Sequence, residues 1–351
     1  MSNTNICSYK IIIVGGAGFV GSNLVKMILK NYPEASVLAI DNLMSAEKTN
    51  LPLENKRLTF LKGSITDDNI LKQITDDVDY IFHLATYHGN QSSIYDPIAD
   101  HANNTFTTLR LFNWVKNFKN LKKIVYSSAG CAVAEKTFDD AKATVEQEFT
   151  SIKHDSPYSI SKIIGEFYSV YYYNQHKVPT VRARFQNVYG PGEILGAGQW
   201  RGTPATVWRN VTPTFIYKAL KGINLPLENE GIASRDFIFV EDICRGLIAC
   251  AFIGQPGEVY NIASGKDITI AEWAKLIVEL TRSNSKVELL PRRSWDNSGK
   301  RFGSTVKSES EIGFKASVDY RTGLEITINW TKEHLDFIEA TMRKHDKFLS
   351  K

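Results

Sequence analysis

Cysteine is scarce in this chain. Its 351 residues include four, Cys7, Cys131, Cys244 and Cys250, with neither disulfide-framework nor zinc-site spacing. No metal is expected, and the pattern fits a reducing compartment, taken here as the cytoplasm. Apolar runs long enough to cross a bilayer are missing, and Met1 to Lys10 lacks a signal-peptide pattern, so no membrane partner is expected. An excess of one charge is missing too. The 42 Lys and Arg against 38 Asp and Glu leave +4, spread along the chain. That gives little case for nucleic acid and is compatible with small anionic substrates. Repeats and low-complexity tracts are absent. What remains, 43% hydrophobic and 23% charged, is ordinary for a globular protein. The length suits one large domain or two intimate ones with a sizeable core.

Gly15-Gly16-Ala17-Gly18-Phe19-Val20-Gly21 follows the apolar run Ile11–Val14 and leads into a helix-like stretch from Ser22. Strand, glycine turn and helix form the setting in which such a motif binds a dinucleotide. The spacing fits both GxxGxxG (Gly15, Gly18, Gly21) and GxGxxG (Gly16, Gly18, Gly21). Glycine allows the tight turn, and the N–H groups of the following helix face the phosphates. Asp41 ends a second apolar strand about twenty residues on, where an acidic side chain binds the ribose hydroxyls of NAD and repels the extra phosphate of NADP. The alternative is a turn residue before Asn42.

Strand patterns fall at Ile11–Val14, Val37–Ile40, Leu58–Leu61, Tyr80–Leu84, Lys123–Ser127 and Thr180–Phe185. Amphipathic stretches such as Asp67–Gln73 and Thr105–Phe118 lie between them. This alternation predicts a doubly wound parallel sheet of α/β class. After Tyr189, the stretch Gly190–Gly202 reads as a long loop. Thr214–Lys221 resumes helix, Arg235–Val240 reads as strand, and Val240–Ile253, Ile270–Arg282 and Ile328–Phe348 read as helices.

Ser156-Pro157 supplies a cap and a first-turn proline for a helix carrying Tyr158 and Lys162 on one face. An ammonium near a phenol favours the phenolate, which can then serve as a general base. Such pairs are also common on solvated helix faces. Ser127-Ser128 ends a sheet strand on the side where doubly wound folds bind ligands, so a serine there can bind the hydroxyl that Tyr158 serves. The alternative is an ordinary strand-to-loop turn.

Together these motifs resemble, nearly end to end, the extended short-chain dehydrogenase/reductases of the NAD-dependent epimerase/dehydratase family, which act on nucleotide sugars. The resemblance implies a Rossmann domain at 1–189 and 234–263. A smaller C-terminal α/β substrate domain would occupy 190–233 and 264–351. It implies NAD held by Gly15, Gly18, Phe19, Val20, Gly21, Asp41, Asn42, Ser64, Ile65, Leu84, Ala85, Thr86, Asn104, Ser127, Tyr158, Lys162 and Phe185. Ser64 stands where the family usually has aspartate, and Gln186 where an aromatic is common. His83-Leu84-Ala85-Thr86 is similar to the turn along the cofactor, and Asn104 matches a structural asparagine. Arg184–Pro191 resembles R-x-x-N-V-Y-G-P, whose asparagine, here Asn187, touches the sugar diphosphate. Arg235–Asp242 resembles R-D-[FY]-[IV]-x-V-x-D, whose arginine binds diphosphate. Arg301 is a candidate second one. For Arg235 a salt bridge to Asp236 or Glu241 stands as the alternative.

The implied catalytic set is Tyr158, Lys162 and Ser128, and the implied substrate contacts are His88, Ser128, Asn187, Arg235 and Arg301. The family's first step oxidises a sugar hydroxyl, usually at C4. Ala129 and Gly130 occupy the positions of the Asp-Glu pair that 4,6-dehydratases use, which argues against that reaction. A 4-epimerase needs the least further machinery. Release of the 4-keto sugar needs the same residues, and a decarboxylase or a non-catalytic NAD sensor is a more distant alternative. Cys131 reads as packing or as an acid/base, and His88 as an acid/base or a wall residue, with Tyr87 and Asn90 beside it. Trp200, Arg201, Trp208 and Arg209 read as ligand contacts or as a packed flap. The family commonly forms homodimers through helix pairs, here the stretches around Thr105–Phe118 and Tyr158–Tyr173.

Overall fold

The computed structural model describes residues 8–130, 137–147, 154–296 and 299–349; Cys7 and Cys131 lie outside them. Seven strands form one sheet: β1 (Lys10–Val14), β2 (Ser36–Asp41), β3 (Leu58–Lys62), β4 (Tyr80–His83), β5 (Lys123–Ala129), β6 (Thr180–Phe185) and β7 (Val259–Ile262). Their order is β3-β2-β1-β4-β5-β6-β7, and every neighbouring pair is parallel. The winding reverses between β1 and β4, which makes their carboxyl ends the place for a ligand. The run Ile11-Ile12-Ile13-Val14 shows why these strands look continuously apolar. Ile11 and Ile13 enter one core and Ile12 and Val14 the other.

The first core also receives Leu24, Val25 and Ile28 of α1 (Phe19–Asn31), together with Ile243 and Leu247 of the helix Val240–Phe252. The second receives Leu111, Phe112 and Val115 of α2 (Thr107–Val115) and Tyr172 of α3 (Pro157–His176). As expected, Ser156 caps α3, its Oγ accepting from Ser159 N, with Pro157 at the first position. The helical path into α2 starts earlier than predicted. Asp96 caps it at Pro97, and a π-helical turn, His101–Phe106, carries it into α2. The final helix is also longer at its start and broken. Asp319 caps Tyr320–Glu333, and Leu335–Arg343 follows.

A third core gathers Tyr189, Phe215, Leu227, Phe237 and Leu324 around Trp273. Trp273 is fully buried, stacks on Phe237 at 4.1 Å and donates from Nε1 to Thr212 Oγ1. A fourth small core seats Ile194, Leu195 and Val207 of the long loop against Ile338 and Met342.

A buried carboxylate, Glu166, ties α3 to the sheet through Arg184, with Arg182 Nη1 3.6 Å from its Oε2. Glu166 Oε1 accepts from Arg184 Nε at 2.8 Å and Oε2 from Nη2 at 2.9 Å. Burial pushes the Glu166 carboxyl up, but the Arg184 guanidinium and the Ser128 hydroxyl more than offset this and hold it below the usual range. Glu166→Ala strands Arg184 unpaired in the interior. We expect a loss of about 3–5 kcal/mol of stability, read as a lowered midpoint in urea unfolding.

Candidate functional site

The glycine turn is pinned at the carboxyl end of the sheet, where Gly15 N and Gly16 N both donate to Ile40 O. Gly15 has φ +87°, and a Cβ on it would lie 2.6 Å from Ala85 N. A Cβ on Gly21 would overlap the Gly15 carbonyl. Only glycine allows the β1–α1 turn to close this tightly. No side chain caps α1 at Gly18, so its first N–H groups are left for another acceptor. Asp41 steadies the same turn. Its Oδ2 accepts from Ala17 N at 3.1 Å and its Oδ1 from Leu43 N at 2.8 Å. Burial pushes the carboxyl up, and these backbone donors work against that.

The turn forms one end of a cleft of about 750 Å³. Every site residue expected from the sequence lies on its wall except Asn104. Phe19, Val20, Asn42, Ser64, Ile65, Leu84, Ala85, Thr86, Ser127 and Phe185 line it, and so do Asn187, Arg235 and Arg301. Asn104 is instead buried behind the wall in the π-helical turn. Its Oδ1 accepts from Thr86 Oγ1 and Tyr87 N, and its Nδ2 donates to Asp100 and Ser161. It thereby shapes the Thr86-Tyr87 turn. Asn90 lines the cleft, whereas Tyr87 is buried with Arg201 5.5 Å above its ring.

Tyr158 and Lys162 meet as their spacing predicts. The buried Lys162 ammonium lies 5.8 Å from the Tyr158 ring centroid and 5.5 Å from that of Tyr126, and donates to Ser127 O at 2.9 Å. Ser128 lies on the cleft wall, as expected, and has a partner the sequence did not show. Its Oγ donates to Glu166 Oε1 at 2.5 Å. A hydroxyl has one hydrogen, and the carboxylate takes it, so Ser128 offers a ligand only lone pairs. Ser127 Oγ likewise donates to His83 O.

His88 sits edge-to-face with Tyr158, ring centroids 5.8 Å apart. Burial and the nearby Arg201 charge hold its pKa down at about 4, so the ring is neutral at ordinary pH. The long loop resolves largely as a packed flap. Trp200 stacks on Phe348 at 4.8 Å, and Arg201 Nη1 donates to His88 O at 2.6 Å. Arg209 donates to the carbonyls of Ser45, Ala197 and Thr206. Only Trp208 and Arg209 of the four flagged residues reach the cleft wall.

Several wall residues escaped the sequence reading: Glu193, Asn210, Phe215, Lys218, Arg293 and Trp295. Asp236 was also underrated. Its carboxylate accepts from Ser264 N and Oγ, Gly265 N and Gly303 N, and so fixes the loops flanking Arg235 and Arg301. Burial pushes it up to about 6, against those donors. Arg235 itself donates from Nη1 to Gly299 O and Ser234 O. The signal for Asp236 was its place in the Arg235–Asp242 motif.

The fold and cleft define a dinucleotide-type α/β protein, and comparison with known proteins narrows the class. The NAD dependent epimerase/dehydratase family model matches residues 11–263, and the chain belongs to that family. The Bordetella bronchiseptica enzyme WbmF, solved in complex with NAD+ and UDP, is 59% identical with a TM-score of 0.87, covering 97% of this chain and 98% of that one. An epimerase from Methanothermobacter thermautotrophicus is 36% identical, with a TM-score of 0.86 and 95% of each chain covered. The UDP-glucose 4-epimerase of Thermotoga maritima, solved with UDP-glucose, is 27% identical, with a TM-score of 0.82, 93% of this chain and 99% of that one covered.

The environment of His88 makes a direct prediction. In an NMR titration its ring should gain a proton only near pH 4, against an ordinary value of about 6.5. A midpoint in the ordinary range would show that its surroundings are wetter than described.

Proposed function

We propose that the chain is an NAD-dependent nucleotide-sugar epimerase that works through transient oxidation at C4. The observation that carries this is the Tyr158–Lys162 pair, with its buried ammonium, on the cleft wall at the carboxyl end of β5. The family membership and the likeness to enzymes solved with NAD+ and UDP, or with UDP-glucose, support it.

The residues fit the cofactor. A turn in which added Cβ atoms would collide, an uncapped helix start and a carboxylate at the end of β2 suit a pyrophosphate and a ribose. Gly15, Gly18 and Gly21 would cradle the phosphates, and Asp41 and Asn42 would meet the adenosine ribose. Ser64 and Ile65 would lie along the adenine, with Leu84, Ala85, Thr86 and Phe185 toward the nicotinamide. When bound, NAD supplies a hydride acceptor that can return what it takes.

The chain's own residues move the proton. Tyr158 takes it from the sugar hydroxyl as a phenolate, which the Lys162 ammonium favours. Ser128 assists only as an acceptor, since its hydrogen goes to Glu166. Arg235 and Arg301 would bind the diphosphate through their forked donors, with Asn187 nearby. Ala129 and Gly130 carry no acid or base, which disfavours dehydration. Release of the 4-keto product by the same residues is the second reading. A homodimer is part of the proposal, since α3 leaves Ile160, Phe167 and Tyr171 exposed.

The purified protein should convert a uridine diphosphosugar into its C4 epimer, read by NMR of the products. Tyr158→Phe should lower turnover by about 10²–10⁴-fold while retaining bound NAD. Full activity in that variant, or no conversion of uridine, guanosine, cytidine or thymidine diphosphosugars by the wild type, would contradict the reading.

A further inference from the structure

The helix Val211–Leu220 begins at Asn210, a residue type that ordinarily caps such a start at a gain of about 1 kcal/mol. Asn210 has the extended backbone of a cap, yet its side chain makes no capping bond. The amide is engaged elsewhere. Nδ2 donates to Glu193 Oε1, and Oδ1 lies 3.2 Å from His88 Nε2. Glu193 is a buried acid, 7% exposed, whose second oxygen, Oε2, has no hydrogen-bond partner. All three side chains line the cleft beside Tyr158. The loop does not need them for its anchorage, which comes from Arg209 and from Ile194, Leu195 and Val207. An unused cap and a buried acid with a bare oxygen both cost stability. Their convergence on one histidine points to a local purpose.

Hydrogen-bond chemistry gives each group one role. An ionised carboxylate only accepts, so Asn210 turns its NH2 toward Glu193 and its oxygen toward His88. The amide oxygen also only accepts, so the His88 hydrogen sits on Nε2. In the neutral ring, Nδ1 then holds a lone pair and no hydrogen.

We propose that Glu193 and Asn210 are positioning residues that lock His88 in its Nε2–H tautomer, so that Nδ1 accepts a hydrogen bond from an O–H or N–H substituent of the bound sugar close to the carbon that Tyr158 serves. This rests on the nucleotide-sugar reading above. It makes the site selective for sugars with a donor at that position over those with a ketone or ether there. A site built to pair with a substrate O–H or N–H discriminates strongly against an analogue lacking it.

The test is heteronuclear NMR of nitrogen-labelled, full-length protein. The pH is set well above the titration of Glu193, which burial pushes up to about 7. The His88 signal is the one lost in His88→Gln. The expected result is a hydrogen on Nε2 in the wild type, shifting toward a tautomer mixture in Asn210→Leu and in Glu193→Gln. Should Asn210→Leu not fold, the nearly isosteric Glu193→Gln decides alone. A hydrogen on Nδ1 in the wild type, or a tautomer that neither variant alters, overturns the proposal. The tautomer is read without turnover. Failure of the epimerase reading would instead show as unchanged nucleotide sugars with the Nε2–H tautomer in place.

Discussion

Lys162 ends in a buried ammonium that donates to the Ser127 carbonyl and lies between the rings of Tyr126 and Tyr158. Removing such a charge from water costs several kcal/mol, so its surroundings must be held firmly. Tyr158, Lys162 and Glu166 recur every fourth residue along one face of α3. The first two line the cleft, while Glu166 is clamped by Arg184 from β6 and by Ser128 from β5. Ser156 caps the same helix. The ion pair fixes the rotation and depth of α3, and thereby the place of the phenol relative to the sheet.

The loop-borne wall is set by a different kind of constraint. The loop after Tyr189 is anchored by small apolar contacts and by arginines that donate to backbone carbonyls. Anchored in this way, it delivers Glu193 and Asn210 to His88. The cleft therefore combines a side built from the sheet and α3, where the glycine turn and Tyr158 lie, with a side built from the loop. Such a division suits a family whose members share one redox apparatus and differ in substrate.

Much of this was legible in the sequence. Six strands showed as apolar runs because both sheet faces are covered. β7 did not, because Asn261 interrupts it; that residue is buried and bonded to Thr144 and Ser304. The start of the helical path into α2 was missed because the π-helical turn breaks the regular period and carries polar Asn103 and Asn104. The cofactor-side wall was readable since its glycines and Asp41 act through local backbone geometry. The bond from Ser128 to Glu166 was not legible, because the two residues lie 38 positions apart in the chain. Glu193 and Asn210 left no signal, since their meeting with His88 depends on how the loop returns.

The central claim is that hydrogen leaves C4 of a nucleotide sugar and returns to the same carbon within this cleft. A uridine diphosphosugar deuterated at C4, converted by the purified protein and examined by NMR, tests it most directly. The account predicts a C4-inverted product that keeps its deuterium at C4. A product whose C4 label has been lost, or one changed at another carbon with C4 unaltered, would contradict it.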